Sequence, residues 1–180
     1  LEDLAQHRGS VLGHLPGTQQ PSQRYFDTLI WSALQRFDPS RPVFVESESK
    51  KVGNLRVPDA LMDAMRASPC IDLQLHDDER VGLLLEDYAY LVNDPTYFCG
   101  RLHALTELRG KQVVANWVEL VQQGRFADVF RDLLLTHYDP GYAASIQRNF
   151  AQYGDADQRQ LPDRTPAAFE ALARQLTDLK

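Results

Sequence analysis

Six consecutive residues, Glu46-Ser-Glu-Ser-Lys-Lys51, put two carboxylates, two hydroxyls and two ammonium groups directly behind the apolar run Pro42-Val-Phe-Val45. A carboxylate at the end of a buried apolar strand is the pattern of a Walker B element, which holds magnesium or a water beside a nucleotide phosphate. In this reading Glu46 is the catalytic acid and metal ligand and Glu48 shares its task, while Ser49, Lys50 and Lys51 meet phosphate oxygens. The plainer alternative is that strands commonly end in polar residues. Earlier, His7-Arg8-Gly9-Ser10 sets a cation beside a glycine that permits close backbone approach to a ligand; a solvated loop explains the same residues. Gln20 and Gln23 flank Pro21-Ser22, and capping of a helix accounts for Ser22 but not for the two glutamines. His76-Asp-Asp-Glu-Arg80 places three acids in a first helical turn, where the dipole favours them. Arg80 opposes that dipole and needs an anionic partner, either an internal carboxylate or a ligand.

These residues require elements to position them. Residues 8–23 are rich in glycine, proline and small polar residues and are expected to form a flexible loop. From Ser22, a plausible N-cap, the spacing Phe26, Leu29, Ile30, Ala33, Leu34, Phe37 predicts an amphipathic helix that stops at Asp38-Pro39. Pro42-Val-Phe-Val45 reads as a strand buried on both faces. Pro58 opens a helix over residues 59–67, and Ile71-Asp-Leu-Gln-Leu75 is a second strand. Strand, helix and strand in that order form the βαβ unit of a parallel sheet, whose ligands collect at the carboxyl ends of the strands.

Later patterns are helical, over residues 77–92, 96–108, 112–123, 126–138, 142–150 and 166–179, with breaks at Asn93-Asp94-Pro95, Gly110, Gly124 and Asp139-Pro140-Gly141. Residues 152–165 are polar without periodicity and read as a mobile linker. The expectation is an α/β fold: a truncated P-loop NTPase-like parallel sheet over residues 1–92, lacking the GxxxxGK[ST] phosphate cradle, then a mostly helical region over 93–180. The aromatic residues Tyr88, Tyr90, Tyr97, Phe98, Trp117 and Phe126 and the turn Tyr138-Asp-Pro-Gly-Tyr142 are most simply packing.

Composition narrows the class. At 180 residues, 43% apolar and 24% charged, the chain can bury roughly 70% of its unfolded surface and needs no disulfide or structural metal. No apolar run approaches the ~20 residues of a membrane span, and the start has no signal-peptide character, so a cytoplasmic protein with no membrane partner is expected. Cys70 and Cys99 lie far apart without metal-ligand spacing, which fits a reducing compartment. The net charge of −6 argues against generic nucleic-acid binding. That surplus falls in residues 61–100, however, and residues 1–60 balance seven acids with seven bases, which leaves a face compatible with RNA. The first residue, Leu1, is not Met and suggests a piece of a longer protein.

Taken in order, Leu4-Ala-Gln-His-Arg-Gly-Ser10, Gly13, Gln20-Pro-Ser-Gln23 with Phe26, Val43-Phe-Val-Glu-Ser-Glu-Ser49, Gly53 and Pro58 resemble the P-loop domain of bacterial tRNA 2-selenouridine synthases. Arg80, Asp87-Tyr88 and Tyr138-Asp-Pro-Gly-Tyr142 extend the likeness to about Phe150. The resemblance implies a transferase that replaces the sulfur of wobble 2-thiouridine in tRNA by selenium from selenophosphate, through an S-geranylated intermediate made with geranyl diphosphate. It implies a rhodanese domain, carrying the catalytic cysteine, in the same full-length chain. It implies that His7, Arg8, Gly9 and Ser10 lie near the diphosphate or the modified base, that Gln20 and Gln23 make polar contacts, that Glu46 and Glu48 are the acidic pair, and that Arg80 faces the diphosphate with Mg2+ as a possible helper. On this reading the present residues alone are inactive. A P-loop nucleotide or nucleoside kinase-like domain and a non-catalytic helical module docking tRNA or protein are the other readings.

Overall fold

The computed structural model describes residues 1–47 and 49–177; Glu48, half of the acidic pair, and the last three residues lie outside the described residues. The chain opens with one helical turn, α1 (Glu2–Ala5), closed by Gln6 in left-handed backbone at φ 52. Helical periodicity lets Leu1, Leu4 and Ala5 reach one cluster from one side. The loop that follows is held rather than free. Arg8 N donates to Gly13 O (2.9 Å) and Gly13 N to Ser10 O (2.9 Å), His7 and His14 form an isolated antiparallel bridge, and Leu12 is buried in the helical core. Tyr90 Oη donates to Leu12 O (3.3 Å) and Arg101 Nη2 to Val11 O. A single buried leucine therefore anchors a segment whose composition reads as loop.

Ser22 caps α2 (Gln23–Leu34), its Oγ accepting from Tyr25 N at 3.3 Å, and Phe26 and Ile30 are buried as their spacing requires. Leu34 and Phe37, expected on the same face, are exposed, as is Trp31. Pro42-Val-Phe-Val45 is not a strand: it is extended without a ladder, and Val43, Phe44 and Val45 are exposed. A strand is made by its neighbour, and among the described residues none lies beside this run. In its place the chain turns back as an antiparallel hairpin, β1 (Lys51–Val52) and β2 (Leu55–Arg56), with Val52 paired to Leu55. Gly53, at φ 61, occupies the first central position, as a type II′ turn demands.

After α3 (Asp59–Ala67), which buries Met62, the strand β3 (Ile71–Gln74) pairs in parallel with β4 (Asp157–Gln160), Ile71 facing Asp157 and Gln74 facing Gln160. The parallel sheet is thus two-stranded and its partner comes from residues expected to be linker, so the βαβ unit drawn from 42–75 does not form. Backbone hydrogen bonds hold β4 while its side chains stay mostly exposed, which is why hydrophobic patterning misses it. Leu161 is buried, and Gln152 Nε2 donates to Arg66 O (2.7 Å) and to Ser68 O.

Between the two strands run α4 (Asp77–Asp87), α5 (Ala89–Val92), α6 (Pro95–His103), α7 (Thr106–Arg109), α8 (Lys111–Gln122), α9 (Phe126–Asp132), a π-helical segment (Leu133–Tyr138) and α10 (Asp139–Asn149); α11 (Pro166–Thr177) follows β4. Asp94 caps α6 through Tyr97 N (2.9 Å), with Pro95 in the first turn. The expected break at Asp139-Pro140-Gly141 does not occur. Pro140 cannot donate a helix hydrogen bond, and the widened π register directly before it carries the helix through.

Two hydrophobic clusters result. One joins Ala5, Phe26, Ile30, Val52, Leu55, Val57 and Met62. The other gathers Leu12 with Val81, Leu91, Phe98, Leu102, Trp117 and Phe130, and Trp117 Nε1 finds Asp132 Oδ2 at 2.6 Å, the partner a buried indole needs. Among the described residues no helix is long and apolar enough to cross a membrane.

Candidate functional site

The loop Arg8-Gly9-Ser10 lies across the C-terminal end of α4. Arg8 Nη1 meets Asp87 Oδ2 at 3.2 Å and its guanidinium stacks 5.2 Å from the centre of the Tyr88 ring, a cation–π geometry. Gly9 has φ 62, and Gly13 packs so tightly that a Cβ there would fall 2.8 Å from the Arg8 carbonyl carbon. The loop is therefore fixed by backbone contact. Ser10 Oγ, Arg8 Nε and Tyr138 Oη are all sealed from solvent, and the Ser10 hydroxyl stands in hydrogen-bonding reach of both the Tyr88 and the Tyr138 phenols. Burial raises both phenols above their ordinary pKa, so each remains a proton donor at neutral pH. Burial pushes Tyr90 up to about 12.

His7 faces the other way, toward the hairpin. Burial holds its imidazole below the ordinary value, with His14 and Arg101 adding to the effect. Next to it the two glutamines find their explanation. Gln20 Nε2 donates to Ala5 O (3.1 Å) and Val52 O (3.0 Å), and its Oε1 accepts from Asn54 N (2.8 Å). Gln23 Nε2 donates to Arg56 O (2.8 Å) while Arg56 N donates to Gln23 Oε1 (2.8 Å). Each amide thus completes one strand of the hairpin that follows the acidic run.

Glu46, half-exposed, accepts at Oε1 from the backbone nitrogens of Leu1 (2.5 Å) and Glu2 (3.2 Å). Burial pushes its carboxyl up, and the hydrogen bonds it accepts pull it down. Ser49 Oγ donates to Lys51 O (2.6 Å), and Lys50 Nζ pairs with Asp59 Oδ1 (2.8 Å) at the start of α3. Among the described residues no three potential ligands converge as a metal cage.

Arg80 has its anionic partner inside the chain. Its guanidinium takes Asp139 in two contacts, Nη2 to Oδ1 at 2.5 Å and Nη1 to Oδ2 at 3.0 Å, and Nη1 also meets Asp77 Oδ1 at 3.0 Å. The Asp139 hydrogen bond, stronger than the opposing desolvation, raises the arginine's affinity for its proton further. Two sequence motifs read separately, Arg80 and Tyr138-Asp-Pro-Gly-Tyr142, are one contact in space. Tyr88 and Tyr138 read in the sequence as aromatic packing and as part of the likeness to the family; nothing in their spacing marks them as neighbours of Arg8 and Ser10.

A family model described as the tRNA 2-selenouridine synthase AAA domain matches residues 1–111. The tRNA 2-selenouridine synthase of Alcanivorax borkumensis is 38% identical over 120 residues, 64% of this chain and 32% of that protein. That of Marinobacter nauticus is 36% identical over 90 residues, 49% of this chain and 24% of its own length, and that of Shewanella halifaxensis is 31% identical over 122 residues, 66% and 31% respectively. The chain spans about a third or less of the length of these curated relatives. No solved structure matches it.

Proposed function

This chain belongs to the tRNA 2-selenouridine synthase AAA-domain family, and from that premise we propose that it is the diphosphate-handling part of a longer enzyme that exchanges the sulfur of wobble 2-thiouridine in tRNA for selenium. The observation that supports this most directly is positional. His7, Arg8, Gly9, Ser10, Gln20, Gln23, Glu46, Glu48, Ser49, Lys50 and Arg80 all fall within the family match over residues 1–111. The remaining partners, a rhodanese domain bearing the cysteine and the tRNA itself, belong to this proposal, as does action in the cytoplasm.

In the reaction proposed, the thiocarbonyl sulfur of 2-thiouridine attacks the allylic carbon of geranyl diphosphate; a carbon–sulfur bond forms, the carbon–oxygen bond breaks, and diphosphate leaves. The selenium of selenophosphate then attacks C2 of the base and geranylthiol leaves; water cleaves the selenium–phosphorus bond, releasing phosphate and leaving 2-selenouridine. The sulfur is already nucleophilic, so the protein's task is to absorb charge on the leaving diphosphate. Arg8, seated on Tyr88 and partly exposed, is the donor for that purpose, with Lys50 and Ser49 at the end of the acidic run. Magnesium bound through substrate phosphates asks for only one or two protein carboxylates. Glu46, a half-exposed carboxylate, is a donor of that kind, and the ion when bound would neutralise part of the diphosphate charge.

The test is mass spectrometry of wobble uridine after incubating tRNA with the longer protein that contains these residues, selenophosphate and geranyl diphosphate. Conversion of 2-thiouridine to 2-selenouridine is expected. Glu46→Gln should abolish geranyl transfer and leave tRNA affinity within about twofold, well under the roughly 1.4 kcal/mol of a tenfold change. Unchanged turnover in Glu46→Gln removes that residue from the site, and absence of selenium incorporation in the unsubstituted protein removes the proposal.

A further inference from the structure

The outer face of the hairpin sets two cations against each other. Lys51 and Arg56 are register partners in the antiparallel pair, and because Val52 and Leu55 are buried, strand alternation puts both long side chains on the exposed face. Like charges directly opposite across a ladder oppose folding. Neither has an ion pair among the described residues, and Asp59, the carboxylate within electrostatic reach of Arg56, is held by Lys50 Nζ at 2.8 Å. Gln23 joins this face to α2, since its amide exchanges two hydrogen bonds of 2.8 Å with the Arg56 backbone. From there Arg24, Thr28 and Trp31 follow along one stripe of the helix, and with Gln23 and Asp27 they line an open groove of about 590 Å3. Arg24 is exposed and also lacks an ion pair among the described residues. Trp31 is exposed and belongs to neither hydrophobic cluster. The one carboxylate of the groove, Asp27, accepts from Gln23 Nε2 at 2.8 Å.

We propose that this α2–hairpin face holds RNA: Lys51, Arg56 and Arg24 take backbone phosphates, and Trp31 stacks on an unpaired base. Cations that track a backbone beside an aromatic platform are the means by which proteins hold unpaired nucleotides. A phosphate between Lys51 and Arg56 turns their repulsion into attraction, which gives the facing pair a purpose that folding does not. The groove is open, as a polymer lying across it requires, and three cations outnumber Asp27 there although the whole chain carries −6. An acidic peptide would satisfy the cations but offer Trp31 no flat ring to stack on. Resting on the function proposed above, the RNA is the anticodon loop around the wobble uridine, whose bases are unpaired. None of the Arg8 loop belongs to this face, so the two sites can be tested apart.

The experiment is titration of the 180-residue chain with an RNA hairpin bearing an unpaired loop, a fully paired RNA duplex of equal charge, and polyglutamate. The other tryptophan, Trp117, is buried, so emission quenched on binding reports Trp31. The hairpin should quench that emission and bind about tenfold tighter than the duplex, the contribution of one stacked base, and polyglutamate should not quench. Trp31→Ala should weaken the hairpin about tenfold by anisotropy of labelled RNA and leave the duplex unchanged, while Trp31→Tyr, which keeps a stacking ring, restores most of the affinity and so separates stacking from folding. Lys51→Gln with Arg56→Gln should weaken hairpin and duplex alike and reduce the salt slope of hairpin binding by about 1–2, at roughly 0.7 per phosphate released; it should melt no lower than the wild type, because it removes a repulsion. Equal binding of hairpin and duplex without quenching, or unchanged hairpin affinity in Trp31→Ala, overturns the proposal, and polyglutamate binding as tightly as the hairpin replaces it with an acidic protein partner. In the longer protein, Trp31→Ala should raise KM for tRNA about tenfold with kcat little changed. RNA binding as expected beside a longer protein that incorporates no selenium would sink the proposed function and leave this face standing; selenium incorporation with an unchanged KM for tRNA in Trp31→Ala would do the reverse.

Discussion

Arg80, in the first turn of α4, and Asp139, at the start of α10, face each other in a two-point contact across 59 residues of sequence. A planar guanidinium matched to a carboxylate fixes orientation as well as distance. Both side chains are about two-thirds buried, and Asp77 supplies a second carboxylate. The pair sets α4, and with it Asp87 and Tyr88, against the helix that continues from the π segment. Arg80 thus orders the frame behind the Arg8 loop.

Arg80→Ala and Asp139→Asn are expected each to destabilise the chain by about 1–2 kcal/mol, less than a fully buried pair because both partners keep some solvent. The double variant should cost clearly less than the two singles combined, giving a coupling of about 1 kcal/mol in urea melts. Strict additivity would show that the contact carries no energy and return Arg80 to the role of a ligand-facing cation.

The hairpin after the acidic run depends on Gln20. Its amide satisfies Ala5 O and Val52 O and its oxygen takes Asn54 N. Gln20→Leu removes a donor and an acceptor from half-buried backbone groups and should lower stability by about 1–3 kcal/mol. Gly53→Ala meets two obstacles: the residue sits at φ 61, and the new Cβ would lie 2.4 Å from Gln20 Oε1 and 2.8 Å from His7 Cδ2. An expected loss of about 1–3 kcal/mol follows from the backbone and the displaced side chain. Wild-type melting of Gly53→Ala would contradict the packing.

How far the sequence reaches is clearest at these positions. Ser22 and Asp94 announce their helices because capping is local, and the helical stretches from 77 to 149 follow from apolar spacing. Gln20 and Gln23 could be marked as unexplained but not understood, since their backbone partners stand 15 to 34 residues away. The strand at 157–160 has no apolar pattern, being held through its main chain by β3. The break expected at Pro140 was overridden by a π turn that leaves no compositional trace. Among the candidate site residues, the sequence separates Arg8 and Ser10 from Tyr88 and Tyr138 by at least 78 positions, and only the packing of the loop on α4 brings them to one cavity.

Acid should unfold the chain earlier than its carboxylates alone would cause. Burial lowers the pKa of His7, and burial together with Arg109 lowers that of His137; Arg109 Nε donates to His137 Nδ1 at 2.7 Å, which requires that nitrogen to be unprotonated. A folded-state pKa below the unfolded value near about 6.5 means that the unfolded chain binds protons more readily. The contribution is therefore fully present above about pH 6.5 and is lost as pH falls through the lower folded values. Thermal melts from pH 7.5 to 5 should show a declining midpoint, and His137→Gln should flatten that decline. An unaltered slope in both His137→Gln and His7→Gln would rule out histidine protonation as its source.

The exposed apolar residues between α2 and the hairpin yield the last expectation. Trp31 is 64% exposed, and Phe37, Val43, Phe44 and Val45 are all open to solvent. Exposed apolar surface of this kind drives association, and an extended run that has no ladder partner among the described residues can add backbone pairing. The isolated chain should therefore associate in a concentration-dependent way in sedimentation experiments. Phe44→Ser with Trp31→Ser should suppress that association while shifting folding free energy by no more than about 0.5 kcal/mol per site, because neither side chain belongs to a core cluster. A large loss of stability in this double variant would mean that the run packs inside the folded chain, and a monodisperse wild-type monomer at high concentration would show that the face is not adhesive.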